Sequence, residues 1–237
     1  MTDPTASDAP SLAPLPKTAA WEDVLDIFYA PRQVFERRRD GRYLIALVVL
    51  CLVTVAVFFL TQQMNESLQE VELMRTFRER GLTSDQIRQA LAGAAKFSSL
   101  AVYFVPVFVA IGSWISGLIV MLLGNMMGGK FNFAQGTAIA VLASMPELLG
   151  RVLVGVQSLF IDTTTAAHRY SFSFNAARFI PGGTNNWLLK LGSLADPFVI
   201  WGLVLVGLGV WTIGKMEKEK AAVLAIVVGL VGAALFR

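Results

Sequence analysis

Glu147 and Arg151 are the residues of this chain whose type and spacing most suggest chemistry. They stand four apart, which on a helix sets a carboxylate and a guanidinium on one face, one turn from each other. The apolar run that holds them, residues 136–160, is long enough to cross a bilayer, and the pair falls near its midpoint. A charge at that depth costs about 2.5–3.5 kcal/mol on insertion scales. Three readings follow: an ion pair neutralised inside a bundle, where it fixes helix packing; a polar path for a solute, an ion or a proton; or a helix broken into halves so that the charges reach water. Pro146 removes a backbone donor and would free the carbonyl of Leu142 at the same depth. Pro146, Glu147 and Arg151 are therefore the candidate intramembrane site.

The other chemically able residues read more plainly. His168, the sole histidine, has no second histidine, cysteine or carboxylate at ligand spacing and reads as a solvated loop residue. Asp162 and Asp196 fall at expected helix ends, where capping explains them, and Asn125 is expected to terminate a helix. Cys51, the single cysteine, lies within an apolar run, forms no intrachain disulfide and is expected to pack against lipid or a neighbouring helix. HExxH, GxSxG, Walker and GxGxxG patterns are absent, as are paired intramembrane aspartates. No catalytic residue, metal or cofactor is expected, and the chain reads as a non-enzyme.

The elements that must position the pair follow from composition. Hydrophobic residues make up 55% of the 237 positions and charged residues 16%, the latter against about 25% in a typical soluble domain. A soluble fold of this length has too little interior for so much apolar material. The chain is expected to be an all-α polytopic membrane protein with five transmembrane helices, at residues 43–61, 100–124, 136–160, 194–214 and 221–236. The fifth is short and needs its flanking lysine to snorkel.

Around these runs lie three segments of different character. Residues 1–18 hold four prolines among small polar residues and read as a disordered tail. Residues 19–42 form an amphipathic juxtamembrane segment: Trp21, Val24, Leu25 and Phe28 recur at helical spacing, and Pro31 restarts the chain. This segment either lies along the membrane surface or packs on the cytosolic ends of the bundle. Residues 62–97 read as an extramembrane helical hairpin between the first two helices, with Gly81 at its turn, Thr83 and Gln86 as a capping box and a Leu82–Ile87 staple. Residues 162–193 read as a polar loop resting Tyr170, Phe172 and Phe174 at the interface.

The arginine cluster before residue 43, with Lys130 and the lysines near residue 215, places the amino terminus in the cytoplasm. Four further stretches resemble the Yip family (Ypt-interacting proteins), five-pass membrane proteins with a cytosolic amino terminus. They are DIFYAP (Asp26–Pro31), GLTSDQI (Gly81–Ile87), GGKFNFAQGTAIAVLASMPELL (Gly128–Leu149) and LADPFVIWGLVLVGLGV (Leu194–Val210). The short tail and the hairpin are similar to those of bacterial-type members, which implies a bacterial cytoplasmic (inner) membrane. Eukaryotic relatives bind Rab-type GTPases and shape vesicle traffic.

The expected function is that of a non-enzymatic membrane scaffold or protein/lipid interaction module. Its candidate interaction segment comprises Trp21, Asp26, Phe28, Tyr29 and Pro31. Its expected partners are the lipid bilayer and a membrane or cytosolic protein, with no nucleic acid and with a homo-oligomer left open. The alternative is a small-solute, ion or proton transporter using the Glu147–Arg151 region.

Overall fold

The computed structural model describes residues 19, 21–79, 81, 83–161, 170–181 and 186–236. Every regular element among the described residues is helical. Two short helices come first, α1 (Asp23–Tyr29) and α2 (Pro31–Arg37). Ala30, at φ −136° and ψ 54°, is the joint between them. Pro31 opens α2, where its missing N–H leaves no hydrogen bond unmade.

The next two helices are far longer than a bilayer requires. α3 (Leu44–Glu79) has 36 residues and α4 (Ser84–Met126) has 43, or roughly 54 and 65 Å at 1.5 Å per residue. The described part of the 62–97 segment is a helical hairpin turning at Gly81, and its two arms run on from the membrane helices. α3 holds no glycine or proline to interrupt it, and α4 carries Pro106 without a break. Gly81 makes the connection at φ +73°, a conformation that favours glycine. Thr83 starts α4 with reciprocal bonds: its backbone N–H donates to Gln86 Oε1 at 2.9 Å, and the Gln86 N–H donates to Thr83 Oγ1 at 3.4 Å. Leu82 lies outside the described residues, so the expected staple does too.

The third run is broken. α5 (Phe133–Ala143) and α6 (Met145–Ser158) meet at Ser144. The Ser144 N–H bonds back to Ala140 O and Val141 O, and its hydroxyl donates to Val141 O at 2.7 Å. Pro146, at the start of α6, cannot donate to the preceding turn, which is why the ladder stops there. α7 (Asn186–Leu194) follows, then α8 (Pro197–Gly214) and α9 (Lys218–Phe236). Among the described residues, four helical stretches are long and apolar enough to cross a membrane, over Leu44–Glu66, Val102–Met126, Phe133–Ser158 (α5 and α6 together) and Pro197–Gly214. α9 folds back along α8, with Leu203 against Gly229 and Ala225 over Gly207.

The core runs through the middle of this bundle. Ile139, Leu142, Met145, Leu205, Val210 and Leu224 are almost wholly buried, and so are Ile27, Val34 and Phe35 of the amino-terminal helices. α4 and α5 cross without side chains between them. A Cβ placed on Gly117 would meet the Thr137 backbone at 2.5 Å, and one on Gly136 would meet the Gly117 carbonyl at 2.3 Å. By contrast Gly112, on the same helix, faces open space. The outward side of α4 presents Tyr103, Phe108, Ile111, Trp114 and Leu118 to the surroundings, as expected of a lipid-facing stripe.

Of the three aromatics expected at the interface, Phe172 is buried, whereas Phe174 is exposed and meets Phe198 edge-on at 5.7 Å. Phe179, in a short 3-10 turn, and Trp187 of α7 are exposed as well. Trp187, Leu188, Leu191 and Leu194 share one exposed apolar face of α7, the signature of a helix lying in the membrane interface.

Candidate functional site

The two amino-terminal helices are held to each other by charge and to the bundle by apolar burial. Asp23 is only 1% exposed, and two guanidiniums hold it. Arg37 donates to Asp23 Oδ1 at 2.7 Å and to Asp26 Oδ2 at 2.5 Å, while Arg38 donates to Asp23 Oδ2. Desolvation opposes the charge on Arg37, but hydrogen bonds and Coulombic attraction from both aspartates outweigh it, so its pKa lies above the ordinary arginine value. Ala30 turns α2 back on α1, which brings residues 11 to 15 positions apart into contact. Asp26 and Pro31 thus act as latch and pivot. These arginines are internal ties rather than a flanking anchor for lipid.

The opposite face of α1 is bare. Trp21, Leu25 and Tyr29, at i, i+4 and i+8, are 57%, 54% and 82% exposed. Phe28, grouped with them on sequence, packs against the core instead. The segment therefore both packs on the bundle and presents an apolar stripe.

Three connections meet at this same end. Gln135 Nε2 donates to Arg39 O at 2.8 Å, tying the start of α5 to the amino-terminal segment. Phe131 packs against Gly124, Gly129 and Gly214. Asn125 does more than end α4: its amide donates to Phe131 O at 3.1 Å and accepts from Phe131 N–H at 2.8 Å, closing the turn. Arg32 and Lys218 lie over the Trp211 ring at 4.9 and 5.0 Å, joining α2, α8 and α9.

Toward the hairpin end, α3, α6, the start of α8 and the strip around Ser173 enclose an open cleft of about 400 Å³. Glu147 and Arg151 line it. Their side chains are 38% and 59% exposed and their nearest charged atoms are 3.8 Å apart, beyond hydrogen-bond reach. This is a loose pair facing a cavity, not a buried pair inside the bundle. By count the pair falls near the middle of the Phe133–Ser158 stretch, and packing against α8 gives a second measure of its level. Gly150 stands against the Phe198 ring, one residue into α8, and Glu147 is about one turn (roughly 4.5 Å) from that level. Asp196 caps α8, accepting from Phe198 N–H at 2.9 Å and Val199 N–H at 3.4 Å. His168 and Asp162 lie outside the described residues.

A latched amino-terminal helix pair carrying Asp26 and Pro31, a turn at Gly128–Gly129, a helix broken before Pro146 and an Asp-capped α8 thus occur in one chain. A family model described as the Yip1 domain matches residues 25–236. The chain belongs to that family. Comparison with curated proteins and with solved structures returns no match. In this Yip1 domain, the match begins within α1, two residues after Asp23, and so includes Asp26, Arg37, Arg38 and the bundle but not Asp23 itself. Sequence reading missed the latch: Asp23 was legible only as part of a polar helix face, and Arg37 and Arg38 only as part of a basic cluster.

Proposed function

We propose that this Yip1-family protein is a non-enzymatic membrane scaffold that acts through protein and lipid contacts at its amino-terminal helix pair. The observation that carries this reading is the two-faced character of α1. Asp23 ties it to Arg37 and Arg38, and Ile27 buries it in the core, while Trp21, Leu25 and Tyr29 stand exposed. A helix held this firmly by one face cannot turn its other face inward, so the stripe remains available to a partner or to the membrane surface.

In the same proposal α9 is the fifth crossing. Its 19 residues span about 28 Å, and Lys218, drawn toward Trp211, extends its reach by snorkelling. The end carrying Arg39, Arg42, Lys130 and Lys215 then faces the cytoplasm of a bacterium.

The test is a triple substitution, Trp21→Ala, Leu25→Ala and Tyr29→Ala, which leaves the buried face intact. The variant should insert and melt like the wild type yet lose cross-linked protein partners and sediment less with vesicles. An unchanged cross-linking and sedimentation profile would contradict the scaffold reading. Ion or proton flux in proteoliposomes that vanishes in Glu147→Gln would favour a transporter instead.

A further inference from the structure

The cleft at the hairpin end contains polar groups of two kinds. Most satisfy one another: Asn65 Nδ2 donates to Thr61 Oγ1, Thr61 Oγ1 donates to Val57 O, and Asp196 is engaged as a helix cap. Three do not. Glu147 and Arg151 make no hydrogen bond among the described residues, being 3.8 Å from one another, and the buried hydroxyl of Thr54 has no partner. All three line the same cavity.

Buried or membrane-embedded polar groups are ordinarily paired. An acid and a base one turn apart, each half turned from the other toward a shared cavity, are arranged for a ligand that carries both charges. We propose that this cleft binds an ammonium–phosphate zwitterion, and that its occupant is the headgroup of an aminophospholipid. The guanidinium of Arg151 offers paired donors to the phosphate. The ammonium falls to Glu147, which accepts, with Asp196 as a second carboxylate in the wall. Two carboxylates against one guanidinium favour a ligand with a cationic amine over a purely anionic one.

The surroundings point to lipid as the source. On α6 the cleft is lined by Glu147, Gly150, Arg151 and Val154, and the neighbouring Leu149, Leu153 and Val156 are exposed apolar side chains along which acyl chains would lie. The Gly150–Phe198 contact sets the pair close to the level at which α8 begins, and α7, with its exposed apolar face, leads into that same end of α8. That is the depth of a headgroup rather than of the bilayer centre. The site lies at the other end of the bundle from the α1 stripe, and the scaffold proposal can fail without affecting it.

The experiment is a lipid titration of the detergent-purified full chain, read by native mass spectrometry. Phosphatidylethanolamine, phosphatidylglycerol and acyl-free glycerophosphoethanolamine are the probes. The wild type should retain phosphatidylethanolamine in preference to phosphatidylglycerol. Arg151→Gln and Glu147→Gln should each weaken that retention about tenfold, while Lys190→Gln, exposed on α7 outside the cleft, should not. Equal retention by Arg151→Gln, or no preference between the two lipids, would overturn the proposal. Acyl-free glycerophosphoethanolamine binding as tightly as the lipid would overturn the assignment to a lipid. A second measurement needs no variant. Phosphatidylethanolamine carrying a photoreactive headgroup should label the wild type within residues 54–65, 147–154, 173–174 or 196–199, and labelling only elsewhere would refute the site.

Discussion

Replacing Asp23 with asparagine isolates the latch. The substitution keeps the size of the side chain and one acceptor oxygen but removes the charge that two largely buried guanidiniums share. Arg37 and Arg38 are then left as like charges across a neutral amide, and removing one partner of a buried pair costs about 3–5 kcal/mol. Burial of Ile27, Val34 and Phe35 contributes about 6 kcal/mol in the docked state, so the helices should stay docked on average but open far more often. A loss of about 3 kcal/mol raises the open population by roughly two orders of magnitude. The readout is alkylation of Ile27→Cys, a position fully buried when docked, with Cys51 replaced by alanine. Adding Asp23→Asn should speed modification about a hundredfold, whereas Asp26→Asn, which removes only one partly exposed contact, should speed it by less than tenfold. If the two aspartate variants are modified at equal rates, or neither differs from the parent by more than about threefold, the latch is not what holds α1 down.

Further outcomes follow from the packing. Gly117→Ala should destabilise the chain by at least 1–3 kcal/mol, because its Cβ meets the Thr137 backbone at 2.5 Å, while Gly112→Ala should leave the melting temperature in detergent unchanged. Asn125→Ala strips Phe131 of two backbone partners and should cost about 2 kcal/mol, seen as a lower melting temperature with helicity retained. Replacing Glu147 and Arg151 together with leucine and methionine should cost less than about 1 kcal/mol, since the pair is loose and open. A large loss of thermal stability there would mean the pair fixes helix packing after all. Trp211→Leu removes the ring beneath Arg32 and Lys218 and should cost about 1–2 kcal/mol by melting.

Local rules made a good part of the architecture legible. Thr83 with Gln86, and Asp196 before Pro197, were readable as helix starts because a cap needs only residues within one turn of it. The hairpin was legible as two helices about Gly81, but composition did not show that its arms run on unbroken from the membrane helices, because a change from apolar to charged residues resembles a boundary. Counting residues along Phe133–Ser158 puts Glu147 near the middle of that stretch, whereas its register against α8 is set by the contact of Gly150 with Phe198, which no count along one run supplies.

Taken alone, the amino-acid sequence determined that the chain is helical and membrane-embedded, where most helices start and stop, and the resemblance that places it in its family. These are properties of short windows and of composition, and each residue contributes to them without reference to distant ones. Tertiary structure decided which charges meet. The bend at Ala30 carries Arg37 and Arg38 back to Asp23, and the approach of α3, α6 and α8 leaves Glu147 and Arg151 facing a cavity instead of one another. Pairing at a distance depends on the directions in which helices leave their turns, and no local pattern encodes those directions.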